Sequence, residues 1–532
     1  MKNFFSSFLL LIIVLSISAQ NYQSLKIKEE FDFFNKIMID SYYFPHKRHY
    51  TDNFDVKREP HNIYTVSSFG DGMARILEGY ITMYQITGDK AYLYKFVLQS
   101  LCIIEERPDY SIDNTKQPRW AFDPFMYLDG QIIAALSKFA YFVKFEEPFL
   151  IEEPIYQFDE LNPLKYKPNT CFCNRFDINF IKFGQYADWL IDRACETLDW
   201  YLTSGYWDNN LGFKEKPDDI AAAQINMQIG FSRALLFIGL YNENIYYLDK
   251  AKIISSLFKS NIKFFDICKL KSYEAPVFIQ TSDNSYWWYH NGWRIPYHYC
   301  IIRSKSYSGY TEYIEDISHG INVTWLFLDF FKYQPNTPFT IDDLIRLRNM
   351  FTKHIYNGRF YNSVLGTDGP VFPKNNLIYT VLNFMPFSKY DGADSTAIPP
   401  NAYDIILQFY SNNISNNNKI PDTPYYNGGL SVKGHAEIVQ AQWEHECTDL
   451  ILYNRKVVYD QDFCAKGTLT IAPQQYDYLH KPNDESFAEP LITENVFTVE
   501  PGTTVNMSAR KKIVLKAGTH IKQGSNFRAF LY

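Results

Sequence analysis

The sequence predicts a mainly α protein: a long domain of helical hairpins in two concentric layers, followed by a small all-β module. Three observations predict it. From about residue 25 to 454 the apolar residues recur at helical spacing. Some of these helices, such as Ile225 to Leu240 and Ile317 to Phe331, are apolar nearly all round, while their neighbours are amphipathic, so one set is buried inside the other. After about residue 455, strand-like alternation replaces helical spacing and a short glycine phrase repeats. The 532 residues are enough for a large apolar core.

The chain opens with Lys2, an apolar run from Phe4 to Ile17, and small residues at Ser16-Ile17-Ser18-Ala19. This reads as an export signal over residues 1–19, cut after Ala19. The expected location is therefore secreted, periplasmic or at the cell surface. No Cys follows the run, which disfavours a lipid anchor, and no later stretch is long and apolar enough to suggest a transmembrane segment.

The helical domain is expected over residues 20–454. Met73, Ile76, Leu77, Tyr80 and Tyr84 form an amphipathic stripe. Gly88 then ends one helix and Asp89 caps the next, which makes an antiparallel hairpin. The same reasoning places helices at roughly 26–43, 71–87, 90–104, 129–145, 183–203, 219–241, 247–266, 315–332, 340–356, 376–388, 401–412 and 436–453. The hairpins have no constant period, which favours a closed ring over an open solenoid. Three inserts interrupt them: Glu105 to Tyr127, Ile267 to Glu312 and Asn357 to Asn375. Long loops in a compact domain are usually functional, and these are aromatic.

The β module is expected over residues 455–532, as a β-solenoid-like stack or a small sandwich. Pro501-Gly502-Thr503-Thr504-Val505, Ala517-Gly518-Thr519-His520-Ile521 and Gln523-Gly524-Ser525-Asn526-Phe527 are variants of one phrase. Each Gly can take positive φ at a corner, and each later apolar residue can point inward.

The hairpins, with phrases such as Tyr84-Gln85-Ile86-Thr87-Gly88-Asp89-Lys90-Ala91-Tyr92-Leu93, resemble those of α/α-toroid proteins, the six-hairpin glycosidases and toroid polysaccharide lyases. The tail, through Ala509, Ile513, Leu515, Gly518, Gly524, Phe527 and Ala529, resembles the C-terminal β modules of secreted proteins from Bacteroidetes-type bacteria. The first resemblance implies an α/α toroid acting on carbohydrate. The second implies an accessory module for stability, surface retention or contact with export machinery.

The net charge of -7 argues against a nucleic-acid binder. Residues 501–532 nevertheless carry only basic charge: Arg510, Lys511, Lys512, Lys516, Lys522 and Arg528. Aromatic residues make up 18% of the chain, enough to leave rings over for stacking on a sugar. Cys171-Phe172-Cys173 has no His at zinc-ligand spacing, so no metal is expected. No phosphate loop, dinucleotide fingerprint or nucleophile elbow occurs, so no cofactor is expected.

The densest chemistry lies at Trp287, Trp288, Tyr289, Asn291 and Trp293, then Arg303, Tyr307, Tyr310, Glu315, Asp316 and His319. Asp316 and His319 are three apart at the start of an apolar helix and share a face. A carboxylate beside an imidazole raises its basicity. Proton abstraction at C5 of a uronate, by a lyase or an epimerase, needs a group to neutralise the carboxylate, a base and an acid. Asn291 or Arg303, His319, and Tyr307 or Tyr310 are the candidates for those roles, an inventory similar to that of the toroid lyases. Trp287, Trp288, Tyr289, Trp293, Trp120, Asp123, Tyr361 and Asp368 are candidate substrate contacts. Core packing explains the tryptophans equally well, and a lone His near a helix start is more often a cap. Glycoside hydrolysis by a carboxylate pair drawn from Asp123, Asp129, Glu315, Asp316 and Asp368 is the alternative. Non-catalytic glycan binding is the third reading.

Overall fold

The structure, a computed structural model, describes residues 68–87, 90–105, 117–121 and 125–155, and nearly all of 182–264. It further describes most of 278–288, 317–361, 380–391, 401–413 and 430–441, and the strands between 450 and 531. The expected class is the one observed: helical hairpins followed by a small all-β module. The export signal and the helix expected at 26–43 lie outside the described residues, apart from Phe31. No helix among the described residues is long and apolar enough to cross a membrane.

The helices are α1 (Ala74–Thr87), α2 (Ala91–Glu105), α3 (Tyr127–Tyr141), α4 (Phe183–Thr203) and α5 (Ile225–Tyr241). They continue as α6 (Ile245–Ser260), α7 (Ile317–Tyr333), α8 (Ile341–Met350) and α9 (Ala402–Asn413), and residues 432–441 form α10. Several boundaries move from those expected, for local reasons. α6 starts at Ile245 because the Asn244 side chain caps the Tyr246 amide, and it ends at Asn261. α8 begins after Thr340, whose side chain and Asp343 close a capping box. Near 376–388 the described chain is helical at 380–382, and Pro386 then opens a 3-10 turn over Met385–Tyr390.

α1, α3, α5 and α7 run parallel as an inner layer. Their starts meet where Tyr127 reaches Asp71 and Arg75 reaches Asn322. Their ends meet where Tyr141 packs on Phe237 and Tyr333. α2, α4, α6 and α8 return on the outside, joined by the Ser100–Tyr186 hydrogen bond and the Lys259–Asp343 ion pair. The last helix comes back to the first: the Lys433 Cα lies 3.5 Å from where a Cβ on Gly79 would sit. Lys433 also donates to Glu78 on α1, and Gly434 packs on Leu382. The inner layer thus closes on itself.

α3 and α5 cross closest at Gly130 and Gly230. A Cβ on Gly230 would run into the Gly130 carbonyl and the Gln131 amide, and one on Gly130 would sit 2.8 Å from the Phe231 amide nitrogen. Gly230→Ala is therefore expected to destabilise the fold by roughly 1–3 kcal/mol, because backbone and not a flexible side chain must yield. Urea unfolding checks this, and an unchanged midpoint would contradict the close crossing.

The described strands between residues 450 and 531 form a parallel β-solenoid. The strands are β6 (Leu450–Leu452), β7 (Arg455–Val457), β8 (Gln461–Ala465) and β9 (Thr468–Ile471), then β10 (Phe497–Val499), β11 (Thr504–Ala509), β12 (Lys512–Leu515), β13 (Thr519–Ile521) and β14 (Asn526–Leu531). The earlier β1 to β5 are short and lie among the helices, at 207–208, 212–213, 262–264, 278–280 and 286–288. Three faces stack as β7-β10-β13, β8-β11-β14 and β6-β9-β12, every pair parallel. Val499, Val505 and Met507 point inward and are fully buried. Gly502 and Gly524 turn the corners with φ of 83° and 92°. Parallel coils replace the sandwich alternative. β6 also corrects the helix expected over 436–453: Leu450-Ile451-Leu452 is an apolar run, which periodicity alone does not separate from a helix.

Candidate active site at the inner-helix rim

The helices that look wholly apolar in sequence carry a polar stripe on the side facing the axis. Midway down, Arg233 of α5 forms a bidentate pair with Glu78 of α1, both bonds 2.8 Å, and donates at 2.6 Å to Asp329 of α7. Lys138 of α3 reaches Asp329 at 2.9 Å, and Lys433 of α10 reaches Glu78 at 2.6 Å. The Lys433 ammonium also lies 3.9 Å from the centre of the Trp325 ring. Burial raises the carboxyl pKa values, but the adjoining cations more than offset it: Glu78 is held well below its ordinary value and Asp329 below its own. Burial pulls Lys433 down.

Toward the helix starts lies a second cluster. Arg75 donates to Asp71 Oδ1 at 3.3 Å and to Asn322 Oδ1 at 3.4 Å, and the Tyr127 hydroxyl donates to Asp71 Oδ2 at 3.3 Å. His319, in the first turn of α7, is close enough for its charge to act on Asp71. Burial raises the Asp71 carboxyl, with Arg75, His319 and Tyr127 opposing it. Asp71, Arg75 and Asn322 are buried, whereas Tyr127 and His319 are half-buried and mark the accessible side. A carboxyl biased toward its neutral form, an imidazole, a phenol and a guanidinium at one rim are groups of the kind that can exchange a proton with a ligand, which makes this the candidate site.

Of the residues singled out in the sequence, His319 joins this cluster. Arg303, Tyr307, Tyr310, Asn291, Asp316, Glu315, Tyr289, Trp293, Asp123 and Asp368 lie outside the described residues. Tyr361 is half-buried, and its amide bonds to the Ile355 carbonyl beside the end of α8. Trp120, Trp287 and Trp288 require correction as substrate platforms, because all three are enclosed in the apolar core. Trp120 donates to the Ile103 carbonyl at 2.7 Å under the Arg107 guanidinium. Trp287 and Trp288 form β5, inside the insert expected as loop. Sequence reasoning missed Asp71, Arg75, Tyr127 and Asn322. Their signal was polar residues at i, i+4 and i+7 (Asp71, Arg75, Glu78) along an apolar helix.

Asp129 is a buried carboxyl with another task. Its Oδ1 accepts the Trp120 and Ala121 amides at 3.0 and 2.9 Å, and its Oδ2 accepts the Tyr201 hydroxyl at 2.6 Å. It ties an incoming loop to α3 and presents no free oxygen to a substrate. Burial pushes its pKa up to about 6. A raised carboxyl pKa gives stability that is complete below the unfolded value of 3.8 and is lost as pH rises through about 6. Asp129→Asn, which mimics the neutral form, is therefore expected to be neutral in acid and stabilising above that range. Melting temperature against pH checks this, and parallel curves for the two proteins would contradict it.

Another polar group lies under β5. Ser285 Oγ is 2.6 Å from His354 Nε2, and Asp283 Oδ2 is 3.1 Å from the same nitrogen. Serine and aspartate share one ring nitrogen, so the arrangement is a clamp on the turn and not a nucleophile relay.

No protein-family model matches this chain, and no curated protein matches it. Among solved structures it is similar to the α-1,6-mannanase GH76A of Salegentibacter sp. HEL1_6, an inactive variant in complex with α-1,6-mannotriose, at 12% identity over 70% of this chain and 89% of that one, with a TM-score of 0.37. It is also similar to a second inactive variant of that mannanase, in complex with α-1,6-mannotetrose, at 12% identity over 69% and 88% of the chains, with a TM-score of 0.32. A D-mannose isomerase is similar at 13% identity over 70% and 86%, with a TM-score of 0.35.

Proposed function

We propose that this chain is an exported carbohydrate-active enzyme that abstracts the C5 proton of a uronate residue in an acidic polysaccharide. The observation that carries the reading is the convergence of His319, Tyr127, Arg75 and Asp71 at one rim of the inner layer. His319 takes the proton, Arg75 faces the carboxylate that acidifies it, and Tyr127 protonates the leaving oxygen at C4. Atoms balance: the C5–H and C4–O bonds break, a C4–C5 double bond forms, and the phenol supplies the proton to the departing chain. An epimerase would use the same base and return the proton to the opposite face. The basic stretch 501–532 at the end of the β-solenoid supports a contact with the cell surface or export machinery.

Incubation with a panel of polyuronates, followed by the ultraviolet absorbance of the conjugated product, tests this. A rising absorbance, or solvent deuterium at C5 without cleavage, supports the proposal; the absence of both overturns it. Glycoside hydrolysis is a second reading, favoured by the buried Asp71, whose raised pKa suits a general acid. New reducing ends without absorbance would identify it.

A further inference from the structure

The two polar levels of the axis are one pattern repeated. The ionic level is Glu78, Lys138, Arg233 and Asp329. Seven residues earlier on each of the same four segments stand Asp71, Gln131, Asn226 and Asn322. Seven residues are nearly two full turns, so each residue shares a face with its partner and lies about 10 Å nearer the rim. The helices are parallel, so the four side chains fall at one level around the axis. Two of the four are engaged with Arg75. Of the other two, Gln131 Nε2 and Asn226 Oδ1 are buried with no hydrogen-bond partner among the described residues. The same holds for Trp325 Nε1, between the two levels.

An unmatched buried polar atom is costly to fold, and three at one place oppose folding unless something uses them. Two are donors and one is an acceptor, the complement of neighbouring hydroxyl groups. We propose that this upper ring reads the hydroxyls of a single sugar residue, with Asn226 accepting and Gln131 and Trp325 donating. The ionic level closes the axis beneath it, so the sugar enters from the rim occupied by Tyr127 and His319 and stops there. The protein therefore takes the end of a chain and does not thread its middle. This inference rests on the carbohydrate reading given above but not on its reaction.

The test is binding of D-glucuronate and of D-mannose, a charged and a neutral hexose, by isothermal titration calorimetry. The proteins are wild type, Asn226→Leu, Gln131→Leu and His319→Ala. At least one hexose is expected to bind wild type, and the two leucine variants should weaken it about ten-fold or more. Both leucine variants should also melt higher than wild type, because each removes an unmatched polar group. His319→Ala should bind within a few-fold of wild type. Leucine variants that melt higher yet bind as wild type would overturn the proposal, as would a wild type that binds neither hexose. Should turnover of polyuronates be absent while the leucine variants still lose binding, the reaction assignment falls and the hydroxyl-reading ring stands. Normal turnover in Asn226→Leu would give the converse.

Discussion

Arg233→Met is expected to destabilise the protein by roughly 3–5 kcal/mol, the range for removing one partner of a buried ionic group. The guanidinium is fully buried and holds two carboxylates from two different helices, so its loss leaves Glu78 to Lys433 and Asp329 to Lys138, without the donor they share. Arg233→Lys should recover only part of this, because an ammonium cannot repeat the planar two-bond contact with Glu78. Acid should act the same way on wild type. Glu78 and Asp329 are held below their unfolded values of 4.5 and 3.8, so their contribution is complete above those values and is lost as pH falls below them. Urea unfolding of variant and wild type at neutral pH measures the effect. A loss under about 1 kcal/mol would show that the ionic level is not what holds the inner helices.

His319→Ala is expected to lower turnover of the responsive polyuronate by ~10²–10⁴-fold, the usual span for a general base. Substrate affinity should change little, because the proposed hydroxyl-reading ring lies deeper along the axis. Tyr127→Phe should also slow cleavage, and a substrate with a better leaving group should restore much of that loss. Circular dichroism confirms the fold of each variant. A loss of only a few-fold in a folded His319→Ala protein would remove the histidine from the chemistry.

The architecture was readable because helices and coils repeat simple periods. The span 183–203 was delimited to the residue, and Gly502 and Gly524 turn the corners their phrases imply. The site was only half readable. His319 stands out because histidine is scarce, with 11 in the chain, and because it opens an apolar helix beside a carboxylate. Asp71, Arg75, Gln131 and Asn226 do not stand out. Each is a polar residue at or near the start of a mostly apolar helix, and a search for hydrophobic period passes over such a residue. Only the seven-residue distance of Asp71, Gln131 and Asn226 from Glu78, Lys138 and Arg233 marks those three, and that distance carries meaning once the helices are known to be parallel. Trp287 and Trp288 misled for the opposite reason: in a chain with 43 Phe and 42 Tyr, an aromatic cluster is ordinary core material.

The parallel inner helices have a consequence for how the proposed acidic polymer would arrive. Each helix carries about half a positive charge at its N-terminal end, and α1, α3, α5 and α7 all present that end at the same rim. At the opposite rim Lys144 donates to the Tyr241 carbonyl, which quiets the negative ends. The molecule is acidic overall, but four helix starts at one rim favour an anion there, so capture of the proposed polyanion should be steered and its association rate should fall as salt is added.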